Sequence, residues 1–346
     1  MNNPKNAVRN SKSEDFWKLT DSQEKIKFLL GYAILAPSTH NSQPWLFRIE
    51  DNSVKIYYDP KAYTIKEADP TQRDLYISFG CLIENLVIAA KYFRVFKDVS
   101  YILNSEDNCV AEVSFENLMH QTGADEQLKK DINAIVSRVN VRGLFDKKPI
   151  ASDILRQLQA TNEVANLKLD LIIDSQKIES LAQLTKRGLE IAYSNNHFRK
   201  EMSGWINASW QNRLIGIPAY ALRLPPFLAA IFPWLVRFFN IGPKVGMLNY
   251  LSLKSSPTIA IISSAEDSKA SWLEVGRLAQ RLIIQSNALG LKTSIFVAAV
   301  EMADLYKEVQ KIIGHNLRPQ FLMCIGYMTT DQQPTPRQTV ESRIIN

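Results

Sequence analysis

The stretch APSTHNSQPWLF, Ala36 to Phe47, decides how this chain is read. An apolar run from Ile26 to Leu35 leads into it, and Trp45, Leu46 and Phe47 close it. Pro37 and Pro44 each lack a backbone donor and restrict the residue before them. Between them Ser38, Thr39, His40, Asn41, Ser42 and Gln43 all carry side chains able to hydrogen-bond. A loop this stiff and this polar either only turns the chain or holds something.

Outward from the loop, Leu46 to Tyr58 reads as two short strands, LFRIE and VKIYY, separated by a DNS turn. Leu75 to Phe93 is helical by period, with apolar residues at Leu75, Phe79, Leu82, Leu86 and Ala90. VSYIL and AEVSF then alternate as strands, and Glu126 to Val136 reads as another helix. In the second half PTIAIISS (Pro257 to Ser264) and FLMCIGYM (Phe321 to Met328) read as strands. GCLIENLVIAAK, from Gly80, aligns with GRLAQRLIIQSN, from Gly276, sharing Gly80/Gly276, Leu82/Leu278, Leu86/Leu282 and Ile88/Ile284. One amphipathic helix can match another by chance, so this alone is a weak sign of duplication. The expected organisation is α+β, in two related halves, 1–130 and 131–346, with 193–256 inserted in the second.

At 346 residues, 46% hydrophobic and 22% charged, the chain has the composition of a soluble folded protein with a substantial core. Its net charge of +6 suits anionic ligands such as phosphates. The basic residues are scattered without a Lys/Arg tract, so nucleic acid is not an expected partner. Cys81, Cys109 and Cys324 form neither a disulfide framework nor a zinc site. The first fifteen residues lack the apolar core of a signal peptide, and a cytoplasmic location is expected.

From Ile217 to Ile241 the sequence is IPAYALRLPPFLAAIFPWLVRFFNI. Its longest uncharged run, Leu224 to Val236, contains Pro225, Pro226 and Pro233. A crossing helix needs about twenty apolar residues, so no transmembrane span is expected. The prolines are expected to forbid a continuous helix. The segment reads as a proline-broken lid or packing arm whose aromatic residues cover something apolar, with an interfacial membrane contact as the alternative.

In SRVNVRGLF, Arg138 and Arg142 lie four apart with Asn140 between them. Two guanidinium forks and an amide suit a phosphate, and two arginines at that spacing equally suit a solvated face. Arg337 follows two prolines in PTPRQTVESRI, as a third phosphate ligand or as a surface tail residue. No G-x-G-x-x-G follows a strand, and no Walker loop, H-E-x-x-H or G-x-S-x-G occurs. His40, His120, His197 and His315 are isolated and the carboxylates are dispersed, so no metal site and no catalytic side chain is assigned.

APSTHNSQPWLF resembles the PSxxNxQPWxF signature of the nitroreductase superfamily of flavin mononucleotide (FMN) enzymes. SRVNVRGLF is similar to the family's R-x-[SN]-x-[RK] phosphate motif. DPTQRDLYISFGCLIENL (Asp69 to Leu86), NALGLKTS and TPRQTV are similar to the Acg-like branch, in which one chain carries two nitroreductase halves. The motifs run in the family's order from residue 36 to 340, leaving out 193–256. The resemblance implies a nitroreductase-like fold duplicated within one chain, a pseudo-dimer with a helical, apolar lid insertion. It implies Arg138, Asn140, Arg142 and Arg337 at the FMN phosphate. Ser38, Thr39 and Asn41 would approach the isoalloxazine, with Pro37 packed against it, and Ile295, Phe296, Val297 and Ala298 would lie along the ring near N5. PSTHNSQPW and RVNVR each occur once, so one FMN per chain and a monomer imitating a dimer are expected. Family members with defined reductase activity often have a Pro-x-Glu-Gly-like stretch beside N5, where this chain has IFVAA. The implied function is hydride transfer from NADH or NADPH through FMN to a small acceptor such as a nitroaromatic or quinone. The alternative is an FMN-sequestering binding protein.

Overall fold

Asp21 accepts the Gln23 N–H and opens the first helix, α1 (Ser22–Ala33), whose buried face carries Ile26, Leu29 and Leu30. This computed structural model describes residues 13–103, 106–119, 123–208, 210–211, 213–330 and 332–345; His120 and most of the N-terminal stretch considered for a signal peptide lie outside them. After the polar loop, β1 (Trp45–Glu50) pairs antiparallel with β2 (Ser53–Tyr58), Trp45 opposite Tyr58 and Glu50 opposite Ser53. The long apolar period becomes α2 (Arg73–Tyr92), followed by β3 (Phe96–Tyr101) and β4 (Cys109–Phe115). These strands form an antiparallel sheet in the order β1-β2-β4-β3.

The helix expected from Glu126 starts as a short 3-10 turn and continues as α3 (Lys129–Ser137). Next come α4 (Ser152–Gln159), β5 (Leu167–Ile172) and α5 (Ser175–Ser194). The insertion holds α6 (Asn196–Trp205), β6 (Ile206–Asn207), β7 (Ile217–Pro218), α7 (Pro226–Phe238) and α8 (Gly242–Ser255). β8 (Thr258–Ser264), α9 (Lys269–Ala288), β9 (Lys292–Ile295), α10 (Ala298–Glu301), α11 (Leu305–Ile313) and β10 (Arg318–Gly326) complete the chain's regular elements. The second sheet runs β5-β8-β10-β9, again antiparallel, and the class is α+β.

The two aligned helices, α2 and α9, each have 20 residues and cross at their glycines. A Cβ on Gly80 would meet the Leu273 carbonyl and come within 2.8 Å of Gly276 Cα; one on Gly276 would meet the Ile77 carbonyl and come within 2.9 Å of Gly80 Cα. The clash is reciprocal, three residues before the opposite glycine in each direction. Only glycine lets these backbones approach so closely. Beside the crossing, buried Glu84 accepts from Arg277 Nε (2.9 Å) and Arg281 Nε (2.8 Å), and Gln280 Nε2 donates to Asn85 Oδ1 (2.7 Å). By length and apolarity α2 could cross a membrane, but 94% of it is buried in the protein. One apolar core runs from Phe16 to Val340 through both sheets. The C-terminus straps back onto the first sheet: Ile345 N–H donates to Phe47 O (2.8 Å), and Arg343 bonds Trp45 O and Asp59, each at 2.9 Å.

Two expectations for the insertion are corrected. Its prolines do not break it, because α7 runs unbroken from Pro226 to Phe238 with Pro233 inside. Pro225 is the N-cap and Pro226 lies in the first turn, where a missing N–H costs nothing. Pro233 does cost about 3 kcal/mol in a helix interior, offset by burying Ala229 and Val236 on the inner face. Nor do the aromatics cover an apolar surface of this chain. Phe227 is 76% exposed, and Trp234, Phe238 and Phe239 are also exposed. Phe232 alone of that set packs inward, against the small cluster of Tyr193, Phe198, Ile206 and Val236.

Candidate cofactor site

The loop between α1 and β1 is strained and heavily braced. His40, Asn41 and Gln43 all have left-handed backbones, with φ of 53°, 57° and 50°. Non-glycine residues hold such φ values only where their surroundings over-determine them, and such strain clusters at functional sites. Here Ser38 Oγ accepts the Gln43 N–H at 3.0 Å. Gln43 Nε2 donates to Leu214 O (2.7 Å) and its Oε1 accepts the Gln338 N–H (2.8 Å). Asn41 Nδ2 reaches the carbonyls of Gly216 (3.2 Å) and Pro336 (3.3 Å), and its Oδ1 accepts from Arg337 at 2.9 Å. Loop, insertion and tail are tied in one polar knot.

The structure brings the candidate arginines to the end of α1. Leu35 O accepts from Arg138 (2.9 Å) and from Arg337 (3.2 Å). Arg337 also donates to Ile34 O (2.9 Å) and Ala36 O (3.1 Å). Ile34 is the C-cap of α1, so Arg337 satisfies an orphan carbonyl at the negative end of the helix dipole, and the two cations between them hold the two residues that follow. Arg337 is thus a buried cap and not a surface tail residue. Arg142 differs. Its backbone is clamped by Gln332 at 2.8 and 2.7 Å, and its carbonyl also accepts from Arg223 (3.0 Å). Its guanidinium makes no hydrogen bond or ion pair among the described residues. The side chain is half-buried, and burial lowers its pKa, partly countered by the nearby Tyr193. A cation so placed lacks the anion that would repay its desolvation.

Asn140 joins the 138–142 stretch to the 295–298 stretch. Its Oδ1 accepts the Ile295 N–H (3.0 Å), while Val141 N–H donates to Thr293 O (3.0 Å). Phe296 N–H goes to Leu322 O at 3.0 Å. Of the four residues from Ile295 to Ala298, only Val297 and Ala298 therefore keep backbone donors for a ligand. Ala298 lies tight against α5, where a Cβ on Gly188 would come within 2.6 Å of its carbonyl. Pro37, Ser38 and Thr39 are half-buried at the loop's near end. Hydrogen bonds thus tie Arg138 and Arg337 to Leu35 O and Asn140 to Ile295, while Asn41 and Arg337 are spent on each other.

Other residues enter that the motifs did not single out. His40 Nε2 is buried without a partner among the described residues, and burial pulls its pKa down to about 4. Tyr193 is buried near Arg142, and burial raises its phenol to about 12. Behind Thr39, whose N–H meets Ser78 Oγ at 3.4 Å, lies a buried ionic group. Arg73 pairs with Asp74 (3.3 Å) and Glu301 (3.0 Å) and donates to Val300 O. Burial first, then Asp74, hold the Glu301 carboxyl well above its usual range. Asp69, buried with the Tyr63 hydroxyl on it at 2.5 Å, is raised to about 6. Asp69, Arg73 and Asp74 stand in DPTQRDLY, but nothing local tied them to Glu301, 227 positions beyond Asp74. A separate cleft of about 500 Å³ between Lys61 and α6 contains none of the twelve candidates.

No protein-family model matches the chain. It is 24% identical over 322 residues to "Putative NAD(P)H nitroreductase acg" of Mycobacterium tuberculosis, covering 91% of this chain and 94% of that one. "Putative NAD(P)H nitroreductase Rv3131" of the same organism is 22% identical over 316 residues, covering 90% and 88%. Among solved structures, the FMN-dependent nitroreductase NfnB of Mycobacterium smegmatis in complex with NADPH aligns at 15% identity and TM-score 0.41, over 63% of this chain and 97% of that one. A nitroreductase with bound FMN from Desulfitobacterium hafniense aligns at 11% identity, with the same TM-score and coverage. Those scores are too low to establish a shared architecture, and the α+β class rests on the elements themselves. The curated relatives span nearly the whole chain and carry nitroreductase names, which together with the motifs supports the nitroreductase superfamily.

Proposed function

We propose that this chain is an FMN-dependent oxidoreductase that takes hydride from NADH or NADPH and reduces a small acceptor such as a nitroaromatic or quinone. What supports the reading is that hydrogen bonds join the loop to 337, residue 138 to Leu35 and residue 140 to 295, while the Arg142 guanidinium keeps no partner among the described residues. In this reading Arg142 makes the direct phosphate contact. Arg138 and Arg337, spent on the carbonyls at the end of α1, add positive potential from behind and hold the loop. Asn140 sets the 295–298 segment, whose Val297 or Ala298 N–H faces N5. Pro37, Ser38 and Thr39 pack along the ring, and Asn41 positions the loop without touching the flavin. FMN supplies the redox chemistry when bound; the protein supplies orientation, exclusion of water and electrostatics. The reciprocal crossing at Gly80 and Gly276 supports a duplicated chain whose halves, 1–130 and 131–346, complete one site, with one FMN per monomer.

A second reading is favoured by one observation. The insertion bonds directly to the site, through Leu214 and Gly216 to Asn41, Arg223 to Arg142 O, and Tyr220 to Pro334 O. A cofactor beneath such bonds would be sequestered and not turned over. Steady-state oxidation of NADH and NADPH by the purified yellow protein separates the two. Turnover with an added quinone or nitroaromatic supports the enzyme; reduction too slow to measure, with FMN still bound, supports storage.

A further inference from the structure

The outer face of the insertion combines two features that the cofactor site does not use. Along α7, Phe227, Ile231, Trp234 and Phe238 recur at helical spacing, and all are at least half exposed. Leu248 and Leu251 continue the exposed apolar surface on α8. Beside them, Trp210 and Trp234 flank a groove of about 350 Å³ that Arg213 also lines. A soluble protein rarely leaves so many large apolar side chains together in water unless something covers them.

Charge says what. From residue 202 to 265 there is no aspartate or glutamate, and the charged residues are Arg213, Arg223, Arg237, Lys244 and Lys254. All five are exposed, and among the described residues only Lys254 has an ion pair, with Glu179. This segment carries five of the six net positive charges, because the remaining 36 basic residues nearly balance all 35 acids. A second copy of the chain would bring the same cations against themselves. An anionic surface meets both the apolar stripe and the charge. At 13 residues, α7 is about 20 Å long, too short for a hydrocarbon core of about 30 Å, and only one of its faces is apolar and exposed. Tryptophans and arginines beside an exposed apolar helix face are the composition of a helix lying in the headgroup boundary.

We infer that the face formed by α7 and the start of α8 docks on an anionic lipid surface, with Trp234 and Phe238 inserted and Arg213, Arg237 and Lys244 at the headgroups. The test uses the full chain and sedimented vesicles of phosphatidylcholine alone or mixed with phosphatidylglycerol. Binding to the mixed vesicles, reversed by salt and accompanied by a blue shift of tryptophan emission, is expected. Arg237→Gln with Lys244→Gln should weaken partitioning by about thirtyfold, roughly fivefold for each cation lost. Trp234→Ser with Phe238→Ser should abolish the blue shift and the sedimentation, while circular dichroism and melting stay those of the parent chain. Three results overturn the inference: no sedimentation with either vesicle, binding indifferent to phosphatidylglycerol, or binding unchanged in both variants. A concentration-dependent dimer lost in the Trp234→Ser, Phe238→Ser chain would assign the face to a second copy instead.

Discussion

The loop at 36–47 and the arm at 217–241 look alike in one respect, since both are punctuated by prolines around residues that seem misplaced. In the structure they are opposites. The loop ties Asn41 and Gln43 to the insertion and the tail and holds three non-glycine residues at positive φ. The arm buries Ala229 and Val236 but turns Phe227, Ile231, Trp234 and Phe238 outward, at least half exposed. Proline stiffens a loop that must be held, and it is absorbed by a helix that can bury its other face.

The contrast predicts a steep gradient of mutational cost. The largest effect belongs to Asn41→Ala, which strips bonds from buried Arg337 and from carbonyls of the insertion and tail. It should lower stability by roughly 3 kcal/mol or more, read as a denaturation midpoint shift at unchanged slope. A loss below half of that would mean the knot is decorative.

Protonation of His40 should act nearly as strongly. Its folded pKa of about 4 lies below the ordinary 6.5, so its contribution is fully present above pH 6.5 and is lost as pH falls through 4. That is on the order of 3 kcal/mol for a shift of this size. Asp69 runs the other way: raised to about 6 from 3.8, it favours the folded state more as pH falls through that window. His40→Asn, a residue that tolerates positive φ, isolates the histidine, and its melting temperature relative to the parent chain should rise steadily from pH 7 to 4. Parallel curves would remove His40 from the account.

Arg142→Ala should weaken FMN by about 10- to 150-fold, the loss of one charge-assisted contact. Riboflavin, lacking the phosphate, should bind as before, and melting of the flavin-free chain should not fall, because no protein partner is lost. Equal losses for both ligands would make Arg142 structural. At the far end of the gradient, Phe227→Ser or Phe238→Ser should change stability by about 0.5 kcal/mol or less and leave flavin affinity unchanged.

Much of this was legible in the sequence for local reasons. Alternation gave β1 and β2 to within a residue, whereas the matched glycines of α2 and α9, in sequence only a weak sign of duplication, prove in the structure to stand where the two helices cross. The loop announced itself through its prolines and polar run. What stayed hidden depends on distance. Arg73 and Glu301 meet only because α2 and α10 pack together, and Asn41 finds Arg337 only when the tail folds back. The arm was misread for a different reason: proline's cost in a helix was weighed without the packing that offsets it.

The most direct measurement of the central claim is the flavin released on denaturing the purified chain, identified by chromatography and counted against protein. The account predicts FMN, at one per chain. FAD, or a colourless chain that cannot be loaded with FMN, would contradict the site, and two FMN per chain would contradict the proposal that the two halves complete a single one.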